Sequence, residues 1–259
     1  MSLPVSVLKG LNSVFSPERA APMSGAEQTA HEIKKAAGSM GRYLEHFAAK
    51  DIDVLDYGCG WGGETLWLAD HVRSVVGFDV EQSSIDQALS ALKTSGQANC
   101  TFICDPSGRI GVPDASFDAV FSTDTFEHVM DLGFAFREIQ RVLRPGGLLV
   151  TQFGPLFYSP YGYHLRWACQ VPWAHLIFGL QPVLELRNQC AGTTMTANTW
   201  EETGLNRRRF VEFKQAAVDA GLELRRFEAL PVKGVTILTK IPQVRDLFIF
   251  GIDCVARKG

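Results

Sequence analysis

The stretch that most limits what this chain can fold into is Asp51 to Gly63, DIDVLDYGCGWGG. Ile52, Val54 and Leu55 form a short apolar run, Asp56 closes it, and glycines follow. Residues 62–71, GGETLWLADH, read as a helix. The order is therefore strand, tight glycine loop, helix. Glycine admits backbone angles that a Cβ forbids and lets a ligand approach the main chain closely. The helix start should offer unpaired N–H groups and the positive end of its dipole. In an open α/β sheet the loop after a parallel strand is where ligands bind.

Two cofactor classes fit such a loop. Gly58, Gly60 and Gly63 match G-x-G-x-x-G, with Asp79 about 20 residues on, which is the dinucleotide fingerprint. Asp56 argues the other way. A carboxylate two residues before the first glycine repels a pyrophosphate and suits an ammonium group. The string D-Y-G-C-G from Asp56 to Gly60 resembles the first motif of the class I S-adenosyl-L-methionine (SAM) methyltransferases. The resemblance implies that Asp56, Gly58, Cys59 and Gly60 hold the amino-acid portion of SAM. Residues 138–150, EIQRVLRPGGLLV, are similar to the same family's helix, sharp stop and fifth strand, which a dehydrogenase has no reason to carry. With Asp79 these motifs make the resemblance specific over residues 51–153.

The resemblance sets the remaining expectations for that half. A second strand, 73–79, ends on Asp79, which is expected to accept hydrogen bonds from the ribose hydroxyls, with Val80 against the adenine. Residues 83–93 are an amphipathic helix carrying Ile85, Ala88, Leu89 and Leu92, with Ser83 and Asp86 as its capping pair. A third strand, 99–104, precedes Asp105, which the resemblance gives to the adenine amino group; capping of its own turn is the alternative. The fourth strand, 117–122, runs into TDTFEHV, 123–129, placing Thr123 beside the cofactor. His128 is the candidate general base, with Glu127 and Asp124 as alternatives and His164, Tyr161 and Tyr163 as a second set. Asp131 is expected to cap the next helix. No pair of acids or histidine-rich cluster implies a metal, so none is expected.

The expected fold is α/β: a Rossmann-like, doubly wound seven-stranded sheet of order 3-2-1-4-5-7-6 with strand 7 antiparallel. One domain spans 1–259. Residues 1–50 are an N-terminal cap, irregular over 1–25 and helical over 26–49, with Ile33, Ala37, Met40, Tyr43, Leu44 and Phe47 as its apolar stripe and His31 and Tyr43 as its contacts. Residues 154–206 are an aromatic insertion, long enough to be functional or to carry its own structure. Its apolar segment 164–180 suits a lid, a dimer or core surface, or contact with a membrane or lipid. Residues 207–259 supply a helix over 207–220 with Phe210, Phe213, Ala217 and Ala220 on one side, a strand over 222–230, a loop over 231–245 and a last strand over 247–255.

Bulk properties exclude several classes. The 259 residues carry 25 basic and 28 acidic side chains, net −3, which gives no electrostatic reason to bind nucleic acid. Arg207, Arg208 and Arg209 form a local basic cluster that reads as a solvated helix start or a salt-bridged turn, with a phosphate or nucleic-acid site as the alternative. Six cysteines form no C-x-x-C and no zinc spacing, which points to a reducing, cytoplasmic setting. MSLPVSVLKGLNSVF lacks the pattern of a secretory signal, and no apolar run reaches the ~20 residues of a membrane span. The reaction expected is methyl transfer from SAM to oxygen or carbon of a small, partly apolar acceptor. A non-catalytic SAM-binding subunit and an NAD-dependent oxidoreductase are the alternatives.

Overall fold

The computed structural model describes residues 5–15, 25–39, 44 and 51–259. The apolar runs form the strands β1 (Asp53–Tyr57), β2 (Ser74–Asp79), β3 (Cys100–Cys104), β4 (Phe117–Thr123), β5 (Leu143–Phe153), β6 (Leu222–Pro231) and β7 (Ile249–Lys258). They pair in one sheet of order β3-β2-β1-β4-β5-β7-β6. Pairing is parallel from β3 through β5, and β7 runs antiparallel to both β5 and β6. The order and the reversed strand are those the resemblance implied. Residue alternation sends Leu55 and Val120 to one face and Val54, Ala119 and Phe121 to the other, and each set is buried in its own apolar cluster. Both faces are therefore covered, as a parallel sheet requires.

Helices α1 (Val5–Phe15), α2 (Gly25–Ser39), α3 (Gly63–Ala69), α4 (Gln82–Ser95) and α5 (Leu132–Val142) accompany the first half. Asp131 caps α5 as expected, its Oδ1 accepting from the Phe134 N–H at 2.9 Å. The cap of α4 differs from expectation. The helix begins at Gln82, before Ser83, so Ser83 lies inside it, and Glu81 takes the flanking position. The E-x-x-R motif has a mechanical role. Buried Glu138 accepts from the Ile110 N–H at 3.0 Å and from Arg141, and Arg141 donates to the carbonyls of Ile110 and Val112. The pair ties the loop after β3 to α5.

The insertion contains α6 (Ala174–Ile177), α7 (Leu180–Ala191) and a 3-10 turn at Glu201–Thr203. It builds a separate core from Phe157, Tyr163, Cys169, Val171, Phe178, Val183, Leu184 and Trp200, and Leu8 of α1 is part of it. Residues 5–15 were expected to be irregular; they are helical because tertiary contacts hold them. Leu8 is fully buried, and Asn12 bridges the insertion, donating to the Ala168 carbonyl at 3.1 Å and accepting from the Gln170 N–H at 2.8 Å. The apolar segment 164–180 is mostly interior to this core, with Leu176 and Ile177 exposed.

Past the insertion, α8 (Phe210–Asp219) buries Phe213 and Ala217 on the sheet. The arginine run before it is salt-bridged: Arg207 to Glu201, Arg208 to Glu212, Arg209 to Asp246. The stretch 231–245 is not a plain loop, since it holds a 3-10 turn at Thr236–Lys240 and leads into α9 (Arg245–Phe248). Among the described residues no helix is long and apolar enough to cross a membrane.

Candidate functional site

The glycine turn after β1 spends its amides on the protein itself. Gly58 and Cys59 N–H both donate to the Phe78 carbonyl, at 2.8 and 3.0 Å, and Gly62 N–H to the Cys59 carbonyl. Gly60 N–H donates to Asp79 Oδ2 at 2.9 Å. The first amide of α3, Gly63 N–H, is taken by Glu32 Oε2 of α2 at 3.1 Å. The expectation of an open helix N-terminus is thus corrected: α2 lies across it. A diphosphate-binding loop needs those amides free, so the dinucleotide match of the three glycines is a match of sequence only. Positive φ at Gly58 and Gly60 is what bends the turn. A Cβ at Gly58 would lie 2.2 Å from the Thr125 side chain, whereas one at Gly60 would meet nothing within 4 Å. Gly60 therefore presents bare backbone to open space.

Asp56 is not where the sequence put it. Its carboxylate is 1% exposed behind the turn, where Oδ2 accepts from the Thr65 hydroxyl at 2.6 Å. One hydroxyl does not repay the burial of a carboxylate, so burial, and then Glu64, push its pKa well above the usual range. Acids that do face the ligand side include Glu64, in the first turn of α3, and Glu32.

Two cavities meet at the turn, sharing Gly58, Gly60 and Asp124. The larger, about 550 Å³, runs from Asp79, Val80 and Glu81 past Ser107 and Gly108 to His128, and is walled by Phe78, Val129, Met130 and Phe134. Asp79 accepts from Gly60 N–H and, through Oδ1, from Glu81 N–H at 2.9 Å, which fixes its carboxylate at the cavity wall. Asp105 is not on that wall. Its Oδ1 accepts from the Ser107 N–H at 2.9 Å and hydroxyl at 2.6 Å, capping its own turn, so Ser107 and Gly108 line the cavity in its place.

The smaller cavity, about 380 Å³, is polar. Gln28, His31, Glu32 and Lys35 of α2 face Cys59, Glu64, Thr123 and Asp124 across it. Lys35 pairs with Asp124 and lies 3.7 Å from Glu64. Burial pulls the Lys35 ammonium down, but Asp124 and then Glu64 outweigh it, and the pKa is raised. Burial raises the Glu64 pKa too. Thr123 donates to Glu64. Burial pushes the Cys59 thiol well up, so it is no nucleophile here.

His128 lines the larger cavity, its Nδ1 2.7 Å from the Gly204 carbonyl oxygen. His164 stands edge-on to it, ring centres 4.9 Å apart. Burial lowers the pKa of His164 to about 4. Glu127 is buried beneath, its pKa pushed up to about 8 by burial and then by Asp124. Tyr163 serves the insertion core, its hydroxyl donating to the carbonyls of Cys169 and Val171. Tyr43, Met40 and Phe47 lie outside the described residues. The apolar stripe expected on α2 is not its inward face: Ile33 and Ala37 are exposed and Ala36 is buried.

Residues 55–151 match the family model described as a methyltransferase domain. The chain carries a class I SAM-dependent methyltransferase domain. The chain is 35% identical over 99 residues to 2-methyl-6-phytyl-1,4-hydroquinone methyltransferase of Synechocystis, 38% of this chain and 30% of that one. It is 34% identical over 100 residues to 24-methylenesterol C-methyltransferase 2 of Arabidopsis thaliana, 38% of this chain and 28% of that one. The chain thus spans under a third of the length of either relative. A SAM-dependent methyltransferase from Methanosarcina mazei shares the fold with a TM-score of 0.55 and 21% identity, over 83% of this chain and 96% of that one. The methyltransferase domain sets aside the oxidoreductase alternative.

SAM is the cofactor of this domain family, and the site fits it. The polar cavity offers charges of both signs, Lys35 against Glu32 and Glu64, which suits a zwitterionic amino-acid head. The larger cavity offers an apolar wall and a fixed carboxylate, which suits a nucleoside. Sequence reasoning missed Lys35, Glu32 and Gln28, although their spacing (28, 32, 35) puts them on one face of a helix.

Proposed function

We propose that this chain transfers the methyl group of SAM to an oxygen or carbon atom of a small, partly apolar acceptor. The observation that carries the reading is the junction of the two cavities at Gly58, Gly60 and Asp124, with a both-signed charged compartment on one side and His128 at the end of the other. Bound SAM supplies a methyl group already activated by a positively charged sulfur. The chain's own residues do the rest. Lys35 holds the carboxylate of the amino-acid head, and Glu64 and Glu32 its ammonium. Asp79 takes the ribose hydroxyls, and Val80 and Phe134 flank the base. Thr123 steadies Glu64. Asp56 acts from behind, fixing α3 through Thr65, rather than touching the ligand. His128 stands at the acceptor end and takes the proton from a hydroxyl or an acidic carbon. Val129 and Met130 give the larger cavity an apolar lining. Alignment of this kind lowers a barrier by several kcal/mol, with ~7–11 as a ceiling.

The acceptor class rests on two supports. The relatives are named for a phytylated hydroquinone and a methylenesterol, and the aromatic insertion stands directly behind His128. The six cysteines are all free thiols, which suits a cytoplasmic location.

Transfer of labelled methyl from SAM to a panel of prenylated hydroquinones and sterols, read by mass spectrometry, tests the reading. His128→Ala is expected to cut kcat about 10²- to 10⁴-fold while leaving SAM affinity unchanged. Tight SAM binding with no transfer to any acceptor would make the chain a binding subunit instead.

A further inference from the structure

Where the insertion folds back on the end of the larger cavity, Glu127, His128 and His164 come together. A carboxylate oxygen of Glu127 and one ring nitrogen from each histidine all lie within 4.8 Å of one another. Each histidine is anchored through one ring nitrogen: His128 Nδ1 on the Gly204 carbonyl at 2.7 Å, His164 Nε2 on the Pro155 carbonyl at 2.8 Å. A carbonyl only accepts, so those nitrogens carry the protons. Nε2 of His128 and Nδ1 of His164 keep their lone pairs. Glu127 is 3% exposed. Its Oε1 accepts from the Gly154 N–H at 3.1 Å, but its Oε2 has no hydrogen-bond partner among the described residues. Leaving a buried polar atom unpaired costs about 1–3 kcal/mol, more for a charged one, and such an atom calls for an explanation. His164 also sits at φ 56°, a left-handed conformation uncommon outside glycine. Backbone strain of that kind collects at ligand sites.

We propose that Glu127, His128 and His164 bind a divalent transition-metal ion, zinc being the best fit, and leave a coordination position open towards the larger cavity. Two imidazoles and a carboxylate form the ligand set of open zinc sites, and also of non-haem iron. Bonds of ~2.0–2.2 Å place such ligand atoms roughly 3–3.5 Å apart, so the set closes with side-chain shifts of about an ångström. The Gly204 and Pro155 carbonyls orient the rings as outer-sphere partners do. The cavity that His128 lines is the entry path.

The ion's role, though not its binding, rests on the methyl-transfer reading. The open position takes the acceptor's hydroxyl oxygen, and the cation favours loss of its proton to solvent. An oxygen lone pair then forms the O–CH₃ bond as the S–CH₃ bond breaks, and the sulfonium leaves as a neutral sulfide. His128 is in that case a ligand, and the cation takes over the activation assigned to it above.

The test uses the full chain, untagged, stripped with EDTA and desalted. Zn²⁺ is titrated by calorimetry and Co²⁺ by visible absorption. One ion per chain is expected, with the d–d bands of a low-coordinate Co²⁺. His164→Ala and His128→Ala should each weaken Zn²⁺ binding about 100-fold or more, with SAM affinity unchanged in His164→Ala. If circular dichroism shows His164→Ala unfolded, Glu127→Gln carries the test, since it keeps an acceptor for the Gly154 N–H. No bound ion, or equal affinity in all folded variants, overturns the proposal. Zinc bound without methyl transfer would sink the functional reading and leave the ion site; transfer by EDTA-treated protein that binds no zinc would do the reverse.

Discussion

The sheet half of this molecule and its insertion are held together by different means. In residues 51–153 nearly every element follows from local pattern: apolar runs make strands, Asp131 caps α5, and the glycine turn closes on its neighbours β2 and α2. In residues 154–206 the helices are short and the core depends on a segment some 150 positions away, through Leu8 and Asn12 of α1. The first region carries the match to the methyltransferase domain. The second lies outside that match and meets the site around residues 127–129, where His164 and Gly204 touch His128, Gly154 donates to Glu127 and Asn206 to the Val129 carbonyl. The difference teaches that the two regions are held by separate sets of contacts, so each can be disturbed alone.

Four substitutions would break or sharpen that division. The largest effect belongs to Gly58→Val. Its φ of 78° and the Thr125 side chain leave no room for a Cβ, so SAM binding by calorimetry should fall below detection while the insertion core stays intact. Leu8→Ala should cost about 2–5 kcal/mol by denaturant unfolding, with SAM affinity in the folded protein unchanged. A loss of SAM affinity there would show the two regions to be one unit. Asp79→Asn should weaken SAM binding about 10- to 100-fold, because the charge that strengthens its ribose hydrogen bonds is gone, without lowering the melting temperature of the insertion.

The smallest effect is a pH dependence. His175, buried in the insertion with Nε2 2.5 Å from the Phe157 carbonyl oxygen, has its pKa lowered to about 4 by burial. The unfolded chain binds that proton below about 6.5, so stability from this residue is complete above that pH and is lost as pH falls towards 4. His175→Leu should flatten the melting temperature across that window by an amount on the order of 1 kcal/mol per pH unit. An unchanged slope would show that His175 is not the group responsible.

The sequence made much of the sheet legible and less of the site. Strand order followed from the resemblance because Asp56–Gly60 and Arg144–Gly147 mark both ends of the unit. The carboxylate of Asp56 was misplaced because a strand-end residue points to either side of a turn, and only the three-dimensional position of Thr65 decides which. For Asp105 the resemblance gave the adenine and the residues themselves left turn capping as the alternative; Ser107, two residues on, offers it a local N–H and hydroxyl, and the alternative holds. At the N-terminus α1 escaped notice, and α2 was expected as a helix but with the wrong working face. The buried side of α1 includes Asn12, which looks like a surface residue until its partners at 168 and 170 are known. The working face of α2 is polar, so a search for apolar stripes finds Ile33 and Ala37, which face solvent.

That polar face of α2 has a further consequence. The glycine turn donates its amides inward, so it does not itself discriminate among ligand head groups. The polar side chains that face a head group come from two helices: Gln28, Glu32 and Lys35 ride on α2, outside residues 55–151, and Glu64 on α3, inside them. Under the proposed function, head-group preference is divided between the two, so grafting residues 25–39 onto a related scaffold would carry only part of it, and reversing the Lys35 charge would favour ligands that lack a carboxylate.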